Sequence, residues 1–253
     1  MKLLLLALLG LPALAPAMVL GAYTCERPQP WEEGAITNVG IAAGLIDGKV
    51  LQPGEAFSFN QAMETGLDRF VEGTSYANGL VVSSDGGGIC QVSSGLYNAV
   101  LLAGLEVLER GTHSLYDPAA AYVPAGHDAM VTRSGHSDFR FRNSTAAPLT
   151  IAAHAEGGKL EVRLLGRQRR PRHRWVESQL LQTLPKQLRQ VPDPALAPGE
   201  RRLKRKGFDG LVVKSRLCYA DAQGVTHCAG LGTDRYMKVD ERWAVGPGTE
   251  GKP

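Results

Sequence analysis

Gly86-Gly87-Gly88-Ile89-Cys90-Gln91-Val92-Ser93-Ser94-Gly95-Leu96-Tyr97-Asn98-Ala99-Val100-Leu101-Leu102-Ala103-Gly104-Leu105 runs three glycines into a cysteine and the cysteine into an apolar, helical pattern. The spacing predicts a central helix over residues 93–105, with Gly104 as its terminator. Cys90 then sits at or near the helix N-terminus, where the partial positive charge favours the thiolate, the reactive form of a cysteine. Glycine allows a sharp turn and close backbone approach, and a glycine loop ahead of a helix is also an anion site. No Gly-Lys-Ser/Thr ending follows, so this is not a nucleotide P-loop. The alternative reading is a small buried cysteine opening a core helix.

Working outward, Ile36, Val39, Ala43 and Ile46 mark a first helix over residues 35–46, closed by Asp47-Gly48. Residues 56–59, 76–82, 107–110, 129–132, 139–143, 149–155 and 159–165 read as extended, with Glu156-Gly157-Gly158 turning the last two into a hairpin. The fold class is α+β: a central helix packed on an antiparallel sheet, followed by a small all-β module. The boundaries are a signal peptide over 1–22, an α+β domain over 23–166, a basic connector over 167–197 containing a strand-like stretch from Trp175 to Leu184, and a β module over 198–246.

Met1-Lys2 followed by an apolar stretch reads as a secretory signal, with Ala15-Pro16-Ala17 or Leu20-Gly21-Ala22 as the cleavage site. An uncleaved anchor is the alternative, opposed by Pro12 and Pro16. The four cysteines then belong to an oxidising compartment. Cys218 and Cys228 flank a predicted turn at Asp221-Ala222-Gln223-Gly224, which predicts a disulfide across a hairpin. Whether Cys25 pairs with Cys90 is left open by the sequence. The charge is uneven: Tyr23 to Thr150 holds 7 Lys/Arg against 14 Asp/Glu, and Ile151 to Pro253 holds 20 against 11. The runs Arg167–Arg174 and Arg201–Lys206 suit either a solvated surface or an anionic partner such as peptidoglycan, another envelope polymer or a membrane surface. No zinc-finger, RNP-type or helix-turn-helix pattern points to nucleic acid.

A nucleophilic cysteine needs a base and a group to orient it. His113, His127 and His136 lie downstream of Cys90, and Asp128 is placed to orient an imidazole. Gln91 is a candidate oxyanion donor. Asn60 is a candidate pocket residue, and Ser93, Ser94 and Asn98 are polar positions in an apolar helix. His127, Asp128 and His136 lack the spacing of a metal site, and no cofactor motif is present.

These stretches resemble the VanW family, named for its link with vancomycin-resistance gene clusters. The matching segments are Gly40–Gly48 running into Pro53–Asn60, then Gly86–Ala99, Glu109–Ser114, Tyr122–Ala129 and Asp138–Asn143, covering about Ile36 to Leu165. The resemblance carries Cys90, Gln91, His113 and Asp128 as motif positions. It departs at His127, where the family more often has Arg, which leaves His113 as the candidate base. The tail from Pro198 to Gly246, with Gly207, Gly210 and Tyr236, resembles the small glycine-containing β modules that accompany this domain in cell-wall proteins. The implied protein is exported and acts at the cell envelope. One reading is cysteine-dependent acyl transfer or amide hydrolysis on peptidoglycan peptide stems, with Cys90, His113 and Asp128 as the catalytic set. Gly86, Gly87, Gly88, Gln91, Ser93 and Asn60 would then shape the ligand site. The other reading is a non-catalytic wall-binding module or envelope scaffold.

Overall fold

In the computed structural model, residues 17–28, 32–77, 80–132, 134–167 and 173–248 are described. The first half runs β1 (Met18–Glu26), α1 (Glu33–Ile46), β2 (Val50–Leu51), β3 (Ala56–Ser58), α2 (Phe59–Met63) and a 3₁₀ segment (Glu64–Arg69). It continues through β4 (Glu72–Ala77), β5 (Leu80–Asp85), α3 (Cys90–Ala103), β6 (Glu106–Glu109), β7 (Arg140–Arg142), β8 (Leu149–Glu156) and β9 (Lys159–Gly166). The second half is all strand: β10 (Arg174–Leu184), β11 (Leu188–Pro192), β12 (Arg201–Arg205), β13 (Gly210–Ala220), β14 (Thr226–Tyr236) and β15 (Glu241–Val245). The expected α+β class is therefore observed, with an all-β region after it.

The main sheet has the order β1-β9-β8-β2. β9 alternates buried Leu160, Val162 and Leu164 with more exposed neighbours, the period-2 pattern of a sheet with one face on the core. β9 faces α3, while the neighbouring β8 meets α1. In α3 every residue except Cys90 and Leu102 is buried, and Leu96 and Val100 are fully so. Each such Leu or Val contributes about 1.5–3 kcal/mol by leaving water. α3 approaches the sheet closely because Gly95 has no side chain; a Cβ there would lie 2.8 Å from Leu160 Cδ2. The helix ends where Gly104 turns left-handed, with φ of 72°. A second small sheet, β3-β7-β6, stacks Phe57 and Phe141 at 5.2 Å and covers the other side of the core.

Residues 1–16 of the expected signal peptide lie outside the described residues, while Met18, Val19, Gly21 and Ala22 pair with β9 as part of β1, and Leu20, at the irregularity between them, is buried. An apolar strand of a half-buried sheet and the end of a leader look alike in sequence. Residues 129–132 form no ladder strand; Met130 makes only an isolated bridge to Gly111. The strand-like stretch expected from Trp175 to Leu184 within the connector is β10, which pairs with β13. The β module therefore begins near Arg174 and contains two three-stranded sheets, β10-β13-β14 and β11-β15-β12. Within it Cys218 and Cys228 face each other across β13 and β14 and form the expected disulfide, Cα–Cα 4.1 Å. Directly opposed cross-strand residues sit this close, a little nearer than most disulfide-linked pairs.

Candidate functional site

Cys90 is the first residue of α3, preceded by Ile89 as N-cap. The positive end of the helix dipole therefore lies at its sulfur. Its thiol is half-buried and, when protonated, donates to the Val131 carbonyl at 3.5 Å. The His113 ring lies beside Cys90 and interacts with its thiol electrostatically. His113 Nδ1 is 2.7 Å from Asp128 Oδ2, which leaves Nε2 for the sulfur. The His113 backbone N–H donates to the same Asp128 oxygen, also at 2.7 Å. Cys90, His113 and Asp128 thus form one chain of contacts. Cys25, by contrast, is buried, free, and aimed at the Gln91 carbonyl rather than at Cys90.

The electrostatics follow the contacts. Burial opposes ionisation of Cys90, but the hydrogen bond and positive charge of His113 pull its pKa below the ordinary thiol value. Burial likewise opposes the imidazolium of His113. Its bonds to Asp128 and Cys90 outweigh that and raise it to about 10. Asp128 is buried yet held down to about 2, chiefly by His113. A thiolate–imidazolium pair backed by a carboxylate is the arrangement these directions describe.

Why Asp128 sits where it does follows from the polar side of α3. Ser93 Oγ donates to the Ala129 carbonyl at 2.6 Å, and Ser94 Oγ accepts from the Ala129 N–H at 2.9 Å. One turn on, Asn98 Nδ2 donates to the His127 carbonyl at 2.8 Å. Three polar residues in an apolar helix thus dock residues 127–129 side by side. Arg110 grips the same segment: Nε donates to the Asp128 carbonyl at 2.7 Å and Nη2 to Oδ1 at 3.3 Å. Its guanidinium lies over the Tyr97 ring, 5.0 Å from the centroid.

Other expected site residues have structural duties. Gln91 points away from the thiol: its Nε2 donates to the Gly158 carbonyl at 2.9 Å and its backbone N–H to Gly88. Both groups are thus engaged within the fold, and the side chain is buried. The Gly86 and Gly87 amides donate to Val71 and Ser84, so they do not cradle an anion. A Cβ on Gly87 would lie 2.1 Å from the Gly73 oxygen. The glycines are there because α1, β4 and the start of α3 converge. Gly88, with φ of 105°, packs against Ala35 in the same crossing. Asn60 Nδ2 ties together the Thr132 and Ser137 carbonyls. His127 bridges Asn98 and Ser178, and His136 is bonded to Ser134 on the surface. Among the described residues no group of His, Cys, Asp and Glu is placed to hold a metal ion.

A cavity of about 100 Å³ opens beside His113 and Asp128. Leu115, Tyr116, Tyr122 and Val123 line it from the first half, and Phe208 and Tyr236 from the β module. The Tyr236 contribution is one the sequence did not indicate.

An α+β domain that sets a cysteine at a helix N-terminus, against a histidine–aspartate pair on following segments, is the class defined here. Within that class the chain belongs to the VanW family: the family model described as "VanW like protein" matches residues 34–165. It is 41% identical over 129 residues to the uncharacterized protein YoaR of Bacillus subtilis, covering 50% of this chain and 41% of that protein. It is 30% identical over 121 residues to the vancomycin B-type resistance protein VanW of Enterococcus faecalis, covering 46% of this chain and 43% of that protein. The chain therefore matches less than half the length of these curated relatives. Two solved structures align with part of it. The G5 domain of HP0197 covers 29% of this chain and 99% of its own at 16% identity and TM-score 0.18. The IgA1 protease G5 domain covers 31% and 94% at 15% identity and TM-score 0.22. Scores this low do not define the fold of the β module.

Proposed function

We propose that this is an exported envelope protein that cleaves or transfers acyl groups on peptidoglycan peptide stems through Cys90. The observation that supports it is Cys90 at the N-terminus of α3 with the hydrogen-bonded pair His113–Asp128 beside its thiol. In the proposed reaction the Cys90 thiolate attacks a peptide carbonyl, and the amine leaves with the proton held by His113. The thioester that results is resolved by water, giving hydrolysis, or by an acceptor amine, giving transfer. His113 takes a proton from that second nucleophile, and Asp128 holds the imidazole in the tautomer both steps require. The envelope assignment draws on the VanW family match and on the Cys218–Cys228 bond, a type that persists outside reducing compartments.

The test is incubation of the purified protein with muropeptides, reading released or newly joined peptides by mass spectrometry. Wild type should turn over and Cys90→Ser should lose at least about 10³-fold, the scale on which loss of a nucleophile registers. Binding of muropeptides by both proteins with turnover by neither would overturn the reaction in favour of a binding module. In that case the cavity beside His113 would be the place to locate the bound peptide.

A further inference from the structure

We propose that the C-terminal β module is part of the candidate active site rather than an attachment to it, with Tyr236 and Asp234 as positioning residues for Asp128. The inference builds on the reading of Cys90, His113 and Asp128 as the reactive set.

Tyr236 ends β14 and is fully buried. Its hydroxyl donates to Asp128 Oδ1 at 2.5 Å and accepts from the Gly126 N–H at 2.7 Å. One oxygen atom therefore joins the turn before Asp128 to its carboxylate. Gly126 carries a φ of +86°, and a Cβ there would lie 2.4 Å from Ser215 Oγ of β13, so the turn is fitted against the module. Two residues before Tyr236, Asp234 accepts from Arg110 Nη1 with both oxygens at 2.9 Å. Arg110 in turn holds Asp128 through Nε and Nη2. Asp128 Oδ2 serves His113, and Oδ1 is held by Tyr236 and Arg110. Both of these holders depend on β14. The Met237 N–H to the Ser114 carbonyl, at 2.7 Å, ties the end of the strand to the residue after His113. Packing alone would not require a buried hydroxyl on the partner of one histidine and a carboxylate on the arginine that grips that partner.

The consequence is measurable at Cys90. The charged groups facing the sulfur are His113 and Asp128, with Tyr122 beside it and Arg27 over the Tyr122 ring at 5.6 Å. Arg110, Asp234 and Tyr236 form the next layer. If Tyr236 and Asp234 position Asp128, removing either loosens the imidazolium that stabilises the thiolate. Cys90 should then ionise at higher pH.

The experiment is the rate of iodoacetamide labelling of Cys90, followed by peptide mass spectrometry from pH 4 to 10 on the full chain. It needs no substrate. Tyr236→Phe and Asp234→Asn should each move the Cys90 profile upward by about one pH unit, near tenfold slower labelling below the midpoint. Asp234→Glu should restore most of the loss. A folded variant whose melting temperature falls while its profile stays at the wild-type position, or moves down, overturns the proposal. If Tyr236→Phe does not fold, Asp234→Asn decides by the same criterion. Hydrogen exchange of the wild-type chain is a further check: the Gly126 amide should be protected, and exchange at the rate of an open loop would overturn the role of Tyr236. A low wild-type profile without muropeptide turnover would remove the proposed reaction and leave the positioning role standing.

Discussion

At the residue scale Asp128 matters more than its size suggests, because four donors converge on one small buried carboxylate: the His113 backbone and ring, Arg110 and Tyr236. Replacing it by Asn leaves Arg110 half-paired and gives His113 a neutral neighbour. Removing one partner of a buried ionic network costs about 3–5 kcal/mol, so Asp128→Asn should lose about that much stability near pH 6. The cost should vary with pH in a defined way. An unfolded aspartate titrates near 3.9 and Asp128 in the fold at about 2, so its contribution is present above about pH 4 and lost as pH falls toward 2. An unfolded histidine titrates near 6.5 and His113 in the fold at about 10, so its contribution is full below pH 6.5 and lost as pH rises toward 10. Cys90, lowered in the fold, contributes above the ordinary thiol value and loses that as pH falls through its folded pKa. Urea denaturation of wild type and Asp128→Asn should show a gap that is widest at pH 5–6 and narrows below pH 4. A gap that does not change with pH would show that Asp128 contributes shape and not charge.

At the scale of elements, the glycines before α3 act through packing. Gly87 meets the Gly73 backbone, where no side chain can yield, so Gly87→Ala must displace β4 or the start of α3. Overpacking of this kind costs about 1–3 kcal/mol, and in a chain of this size each kcal/mol lowers the melting temperature by about 2–4 °C. A drop of roughly 2–12 °C is therefore expected by calorimetry, and an unchanged melting temperature would contradict the close crossing. The helices were readable in the sequence because their apolar spacing is dense: α1 and α3 fall within a few residues of where periodicity put them. Cys90 at the helix start was readable for the same reason, and so were His113 and Asp128 from the motifs around them. The errors have physical causes. β1 begins at Met18, directly after the Ala15-Pro16-Ala17 site, so an apolar strand and an apolar leader abut and the pattern does not mark where one gives way to the other. Ala129 is held by serine side chains of α3 and Thr132 by Asn60, not by a ladder, so residues 129–132 mimic a strand without being one. Those same polar residues were noticed, but their partner lay about 35 residues away, beyond what local pattern reports.

At the scale of the molecule, distance along the chain explains what the sequence did not show. Tyr236 reaches Asp128 across 108 positions, and no periodicity links them. The basic second half is the other case. Counted as charge, Arg201–Lys206 looks like a docking strip for an anionic polymer. In the fold, Arg202 and Lys204 both pair with Asp193, Lys206 pairs with Asp117, Arg205 donates to the Asp240 carbonyl, and Arg201 lies over Trp243. Much of this strip is engaged with its own module, while Arg169, Arg170 and Arg172 of the other run lie outside the described residues. Exposed pairs of this kind are each worth at most about 1 kcal/mol, so they orient β12 more than they stabilise it. Asp193 and Asp117 offset two of the five charges, and the internal contacts turn the side chains toward the fold, so the strip is a weaker target than its count suggests; salt would screen what remains beyond about 10 Å at 0.1 M. Sedimentation with purified envelope material should therefore show retention that changes less than about threefold between 0.05 and 0.5 M salt, a factor near RT in free energy. Replacing residues 201, 202, 204, 205 and 206 by Ser or Gln should leave retention within the same range. Steep loss with salt in wild type, absent from that variant, would show instead that β12 binds an anionic partner through charges its internal pairs do not satisfy.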